Sequence, residues 1–174
     1  MRETLLTVVR SRHSIRKYTQ DSIPEQDVQE LLAAAIQAPS AGNRQPWMFY
    51  VVKNPGSNPA FVEAAGYGNS FVGNAPLAIV VCAEPARSAE RYKERGTTLY
   101  CLQDTAAAVE HILLAAAAMG YGTCWIGAFS EEGIAKVLGL PDTLRPVAII
   151  PVGVPAEEGR VRPRRPLEEV VRYV

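Results

Sequence analysis

The feature that most limits how this chain of 174 residues can fold is the alanine-rich segment from Gln103 to Met119. Its composition favours a helix, and around Ile112 to Met119 nearly every side of that helix is apolar. Such a helix needs cover all round, from the core or from another subunit. The uncharged stretch continues from Ile112 to Ser130, close to a membrane-spanning length. Gly120, Gly122 and Gly127 punctuate it, however, so its second half reads as turn plus strand and no membrane span is expected.

The cover must come from the flanking segments. Leu77 to Ala83 is a continuous apolar run rich in Val and Ile, the signature of a strand covered on both faces. Met48 to Val52, Thr123 to Ile126 and Pro146 to Val152 read as further strands. Val28, Leu31, Leu32, Ala35 and Ile36 form the stripe of a helix with one buried face, stopped by Pro39. Ser22-Ile23-Pro24-Glu25 has the spacing of a capping box at its start. A short helix from about Ser130 to Leu138 ends at Gly139, residues 84–99 read as an exposed helix or mobile loop, and the Pro- and Arg-rich tail has no core of its own. Strands separated by helices imply an α/β or α+β sandwich, with residues 1–174 forming one domain and no internal repeat.

Several functional classes are disfavoured. Lys+Arg and Asp+Glu are equal at 18 each, so charge gives no reason to expect a nucleic-acid partner. Cys82, Cys101 and Cys124 form no C-x-x-C pair, Cys82 and Cys124 sit in apolar surroundings, and a reducing, cytoplasmic setting is expected. Arg2, Glu3 and Arg10 around a short apolar patch do not make a signal peptide. The two histidines, His13 and His111, belong to no Cys/His cluster, so no metal site is expected, and His111 reads as a core or interface residue. No G-x-S-x-G elbow occurs. The glycine clusters at Gly66-Gly68-Gly73 and Gly120-Gly122-Gly127 miss the dinucleotide-binding spacing.

Two polar motifs remain, one at each end of the striped helix. The first is Arg12-His13-Ser14-Ile15-Arg16, two guanidiniums four residues apart with an imidazole and a hydroxyl between them, which suits an anionic ligand. The second is Ala38-Pro39-Ser40-Ala41-Gly42-Asn43-Arg44-Gln45-Pro46-Trp47, whose amides and hydroxyl suit a ligand with many polar edges. Together they point to a phosphorylated, heterocyclic cofactor. Arg160, Arg162, Arg164 and Arg165 in the tail form either a solvated surface or a further grip on phosphate. Hydride chemistry on a bound flavin fits a site without acid–base machinery, because the ring accepts and returns the electrons.

These motifs, with Gly122-Thr123-Cys124-Trp125-Ile126-Gly127 after the alanine-rich helix, occur in the order found in the nitroreductase family of FMN-dependent oxidoreductases, which the chain resembles over almost its whole length. The resemblance implies an α+β sandwich with a central, mainly antiparallel sheet flanked by helices. It also implies a homodimer with exchanged C-terminal tails and FMN at the subunit interface. Arg12, His13 and Ser14 would meet the FMN phosphate and ribityl end, and Arg16 the pyrimidine edge of the ring. Pro39, Ser40 and Asn43 would contact FMN from the other subunit. The backbone N–H groups of Ile126 and Gly127 would face the ring, Arg165 or the adjacent Arg164 would supply a second phosphate arginine, and either Asn69 or Asn74 would touch the ring. Tyr67, Phe71 and Tyr100 either line the open ring face or pack, and Trp47 reads as packing.

The activity so implied takes hydride from NADH or NADPH and passes it to a nitroaromatic, quinone or similar electron-poor acceptor in a ping-pong cycle, without a dedicated catalytic side chain. The compact stretch at residues 84–99, where longer family members elaborate a cover over the substrate, leaves acceptor preference open. The rival readings are a flavin enzyme acting on one specific metabolite, a non-catalytic flavin-binding protein, and a cofactor-free dimeric interaction module. Read alone, Arg12 and Arg16 are also compatible with simple pairing to Asp21 or Glu25.

Overall fold

Leu77–Ala83 forms strand β2, and all seven of its residues are buried, as a strand covered on both faces requires. The computed structural model describes residues 2–66 and 68–174, so Tyr67 lies outside the described residues. Strand β1 (Trp47–Lys53) pairs antiparallel with β2, β2 with β4 (Arg145–Gly153), and β4 with the two-residue β3 (Gly122–Thr123), giving the order β1-β2-β4-β3.

Alternation along β2 creates the two layers. Leu77, Ile79 and Val81 pack with Leu31 and Ala35 of helix α2 (Glu25–Ala35) and with Ile112 and Ala116 of α5 (Cys101–Ala118). Ala78, Val80 and Cys82 pack on the opposite side with Phe61 of α3 (Pro59–Ala64) and Ile134 of α6 (Glu131–Leu138). The fold is therefore an α+β sandwich with an antiparallel centre. No helix among the described residues is long and apolar enough to cross a membrane.

Helix α5 buries Ala108, Val109, Ile112, Leu113 and Ala116, whereas Leu114 and Ala117 on its outer side remain half-buried. The chain's own core thus covers one side of the helix. Helix α1 (Arg2–Ser11), where the sequence suggests no more than a short apolar patch, packs beside α5 and leaves Leu5, Leu6 and Val9 exposed.

Local signals held in part. Ser130 caps α6 by accepting the Gly133 N–H at 3.0 Å, and Gly139 ends it in the left-handed region at φ 61°. The capping box before α2 does not form. Pro24 is the residue before the helix and no side chain caps it, while Glu25 accepts from Lys53 Nζ at 2.7 Å, which holds its carboxyl below the usual range. The strand expected from Thr123 to Ile126 is interrupted after Thr123, and Ile126 returns to pair with Ile149 as a separate bridge. Residues 84–99 are helical: α4 (Pro85–Arg95) runs into a π-turn at Gly96–Tyr100 and then into α5.

The segment after α1 is held as an added strip beside the sheet. Ile15 N–H donates to Thr123 O at 2.8 Å, Thr19 N–H to Val154 O at 2.9 Å, and Ala156 N–H to Lys17 O at 2.9 Å. Tyr18 is buried beneath it and donates its hydroxyl to Ile15 O at 2.6 Å. Ile15 lies so close to Gly122 that a Cβ there would sit 2.7 Å from Ile15 Cγ2. We predict that Gly122→Ala destabilises the fold by about 1–3 kcal/mol, measured by urea unfolding, because neither neighbour can retreat without breaking this strip.

Cys82, Cys101 and Cys124 are all buried, and burial pushes each thiol upward, Cys82 to about 12. The native protein at pH 8 should therefore react only slowly with an aromatic disulfide reagent, and all three thiols should react at once on unfolding.

Candidate functional site

The strip Ser14–Thr19 carries the first motif to the rim of a cleft of ≈ 540 Å³. Arg12, His13, Ser14 and Arg16 all line it. Ser70 and Phe71, from the 3₁₀ turn after α3, form a second wall, and the Arg16 guanidinium lies 5.7 Å from the centre of the Phe71 ring. The third wall is the tail, where Arg160, Arg162 and Arg164 face the same space. Glu157 fastens this wall to the motif by accepting the Arg16 backbone N–H at 2.7 Å, and Gly159 lies against the His13 ring.

The electrostatics favour an anion. Among the described residues, neither Arg12 nor Arg16 forms an ion pair, which removes the alternative of simple pairing at a helix end. Asp21 instead accepts from the Thr19 hydroxyl at 2.7 Å, and Glu25 is engaged by Lys53. Among the described residues, five arginines and Lys17 thus line this cleft, with Glu157 and Glu158 as its acids. Cys124 lies behind the motif; burial raises its thiol pKa, while Arg16, a hydrogen bond to Ser14, and Arg12 act in the opposite sense. Lys17, Glu157 and Ser70 were not anticipated, since nothing in their local sequence marks them. Arg160 and Arg162 were visible only as members of the basic cluster.

The second motif stands apart from this cleft. Ser40 accepts the Gln45 N–H at 2.9 Å, and the Asn43 side-chain oxygen accepts from Gln45 Nε2 at 3.2 Å. Gly42, Asn43 and Gln45 occupy the left-handed region, with φ of 57°, 55° and 50°. Gly42 passes directly beneath α4, where a Cβ would come within 2.6 Å of the Tyr92 hydroxyl oxygen. Arg44 and Arg87 exchange side-chain-to-carbonyl hydrogen bonds, and Arg44 pairs with Glu90. Pro39 and Asn43 are exposed at the end of α2, and none of Pro39, Ser40 and Asn43 lines the cation-rich cleft of its own chain.

The third motif departs from expectation at Ile126. Its N–H is committed to Ile149 O at 2.9 Å and its carbonyl accepts the Ile149 N–H at 3.0 Å, so sheet pairing removes it as a donor to a ligand. Gly127 is exposed, and a Cβ there would meet nothing nearer than Trp125 Nε1 at 4.0 Å. Asn69 donates to Ala65 O at 2.8 Å and Ala128 O at 2.9 Å, tying the Phe71 wall to the loop that carries Gly127. Asn74 instead faces a smaller, separate cleft beside Thr19 and Gln20.

In the tail, Arg164 lines the main cleft, whereas Arg165 pairs with Glu169 at 3.1 Å and does not. Tyr100 stacks edge-on with Tyr92 and accepts from Arg95, so it packs within α4 and the π-turn. Trp47 is buried in the core.

The chain as a whole has recognisable relatives. Residues 9–65 and 56–154 match the model of the nitroreductase family. A protein of Archaeoglobus fulgidus, provisionally named as an NADH dehydrogenase/NAD(P)H nitroreductase, is 37% identical over 160 residues, covering 90% of this chain and 88% of the relative. An FMN reductase (NADPH) of Bacillus subtilis is 27% identical over 183 residues, or 98% of this chain and 73% of the relative. The crystal structure of a nitroreductase family protein from Clostridium novyi superposes with a TM-score of 0.79 at 36% identity, over 88% of this chain and 86% of that one. A match that extends from the end of α1 to the segment after β4, carried by both sequence and fold, means that this chain belongs to the nitroreductase family.

Proposed function

We propose that this protein is an FMN-dependent NAD(P)H oxidoreductase that reduces small electron-poor acceptors such as nitroaromatics and quinones. The observation that carries this reading is the cleft in which the unpaired Arg12 and Arg16, with Ser14 and Arg164, face one space. This donor set fits FMN: fixed guanidiniums and a hydroxyl suit the phosphate, and the Phe71 side of the cleft offers apolar surface to the rest of the molecule. The Bacillus subtilis FMN reductase, related along nearly the whole chain, supports the same cofactor. When bound, FMN supplies the two-electron redox chemistry, with donor and acceptor using one pocket in turn.

The chain's own contribution is binding, orientation and electrostatics. Arg12, His13, Ser14 and Arg164 hold the phosphate and ribityl end. Arg16, kept in place by Phe71 and by its backbone bond to Glu157, presents positive charge toward the ring, where negative charge develops on reduction. Gly127 leaves the ring room and offers a backbone N–H that Ile126 cannot. Of the two candidate asparagines, Asn69 is better placed, because it already fastens the Gly127 loop.

Pro39, Ser40 and Asn43 reach FMN from a second copy of the chain. Their distance from the cleft of their own chain supports this, as does the apolar surface at Leu5, Leu6, Val9, Val161 and Leu167, which a partner would cover. The tails then cross between the two copies.

The test is a visible spectrum of the desalted protein with added FMN, followed under anaerobic conditions by NADH and then NADPH. Retained flavin bands that bleach with either donor and recover with a quinone or nitroaromatic are expected. A protein that cannot retain FMN would overturn the reading, and retained bands that no nicotinamide donor bleaches would favour a flavin-binding protein without this turnover. Arg12→Ala and Arg164→Ala should each weaken FMN binding about 10- to 100-fold, whereas Arg165→Ala should leave it within about threefold of wild type.

A further inference from the structure

We propose that Asp104 is a positioning residue for the cofactor, holding the Ser40–Asn43 loop in its bound shape through the Ala41 amide. The inference rests on the reading that this loop meets FMN.

Asp104 lies in the first turn of α5 and is only 7% exposed. Its Oδ1 accepts the Ala41 N–H at 3.0 Å, while Oδ2 is buried without a hydrogen-bond partner. Burial disfavours its charged form, and the Ala41 hydrogen bond is what offsets this. A carboxylate in this state lowers the stability of the helix that carries it; in so alanine-rich a helix, Ala would serve stability better. The benefit must therefore lie in what Oδ1 holds.

What it holds is a loop that needs holding. Three of the residues from Gly42 to Gln45 are left-handed, and Asn43 and Gln45 are not glycines. Gly42 is confined on its other side by Tyr92. Seven residues further along α5, on the same face two turns away, His111 Nδ1–H donates to Ala34 O at 3.0 Å, at the end of α2. One rigid helix, packed on β2 and β4, thereby fixes the place of both the end of α2 and the loop that follows it. The Ser40 hydroxyl and the Asn43 amide inherit that placement.

The experiment compares FMN dissociation constants, by quenching of flavin fluorescence, and visible circular dichroism of the bound flavin for Asp104→Ala, Asp104→Asn and Asn43→Ala. Asp104→Asn keeps a carbonyl acceptor. It should stay within about threefold of wild type with the same dichroism, while Asp104→Ala weakens FMN at least about tenfold and alters the dichroism. Equal loss in both Asp104 variants, or no loss in either, would overturn the inference. No loss in Asn43→Ala would instead overturn the reading of the loop on which it rests. If Asp104→Ala does not fold, hydrogen exchange in the wild-type protein still decides. The Ala41 amide should be strongly protected in the absence of FMN, and exchange at the rate of an open loop would overturn the proposal.

Discussion

The pairing of β2 with β4 is the constraint on which the rest of the molecule depends. Both strands are buried on both faces for almost their whole length, so each must place alternate side chains into two separate helical layers. A slip of one residue would put Ala78 or Val80 where Ile79 sits and so turn the whole α2/α5 set of β2 toward the other layer. Because this register is fixed, the end of β4 is fixed too. The segment after Gly153 emerges where it can bond to Thr19 and Lys17 and bring Glu157 to Arg16.

The polar parts of the protein are thus attached to an apolar frame by a few backbone hydrogen bonds each. The first motif is tied to Thr123 through Ile15, and the strip that continues it to Val154 through Thr19. The second is tied to α5 through Asp104, and the end of α2 just before it through His111. The loop after Trp125 is tied to the sheet through Ile126 and to the Phe71 segment through Asn69. None of these ties is itself a contact to a ligand, and each sets the geometry of residues that the chemistry would use.

Much of the frame was legible in the sequence because burial on two faces leaves an unmistakable composition. Leu77–Ala83 coincides with β2, and the β-branched run at Pro146–Val152 lies inside β4. The capping box failed for a local reason: Ile23 precedes Pro24, and a residue before proline avoids helical backbone, so the helix cannot begin where Ser22 would cap it. Helix α1 does carry a one-sided apolar stripe at Leu5, Leu6 and Val9, but nothing within the chain covers that face, so the sequence offers no partner segment for it. At the site, the motif residues were identifiable, but their competition for partners was not. Only the folded arrangement shows that Ile126 spends its N–H on Ile149, that Arg164 rather than Arg165 faces the cleft, and that a lone Asp in an alanine-rich helix supports a loop 63 residues away in sequence.

The bond from the Arg16 amide to Glu157 spans 141 residues, so the cleft is closed by segments far apart in sequence. During synthesis, Arg12, Ser14 and Arg16 emerge before the strands of the sheet and lack their third wall while the sheet is still incomplete. Only when β4 has paired and the following segment has left the ribosome can that wall arrive. The cleft is thus a product of the finished sheet: its third wall exists only once β4 has paired and the segment after it lies beside Arg16.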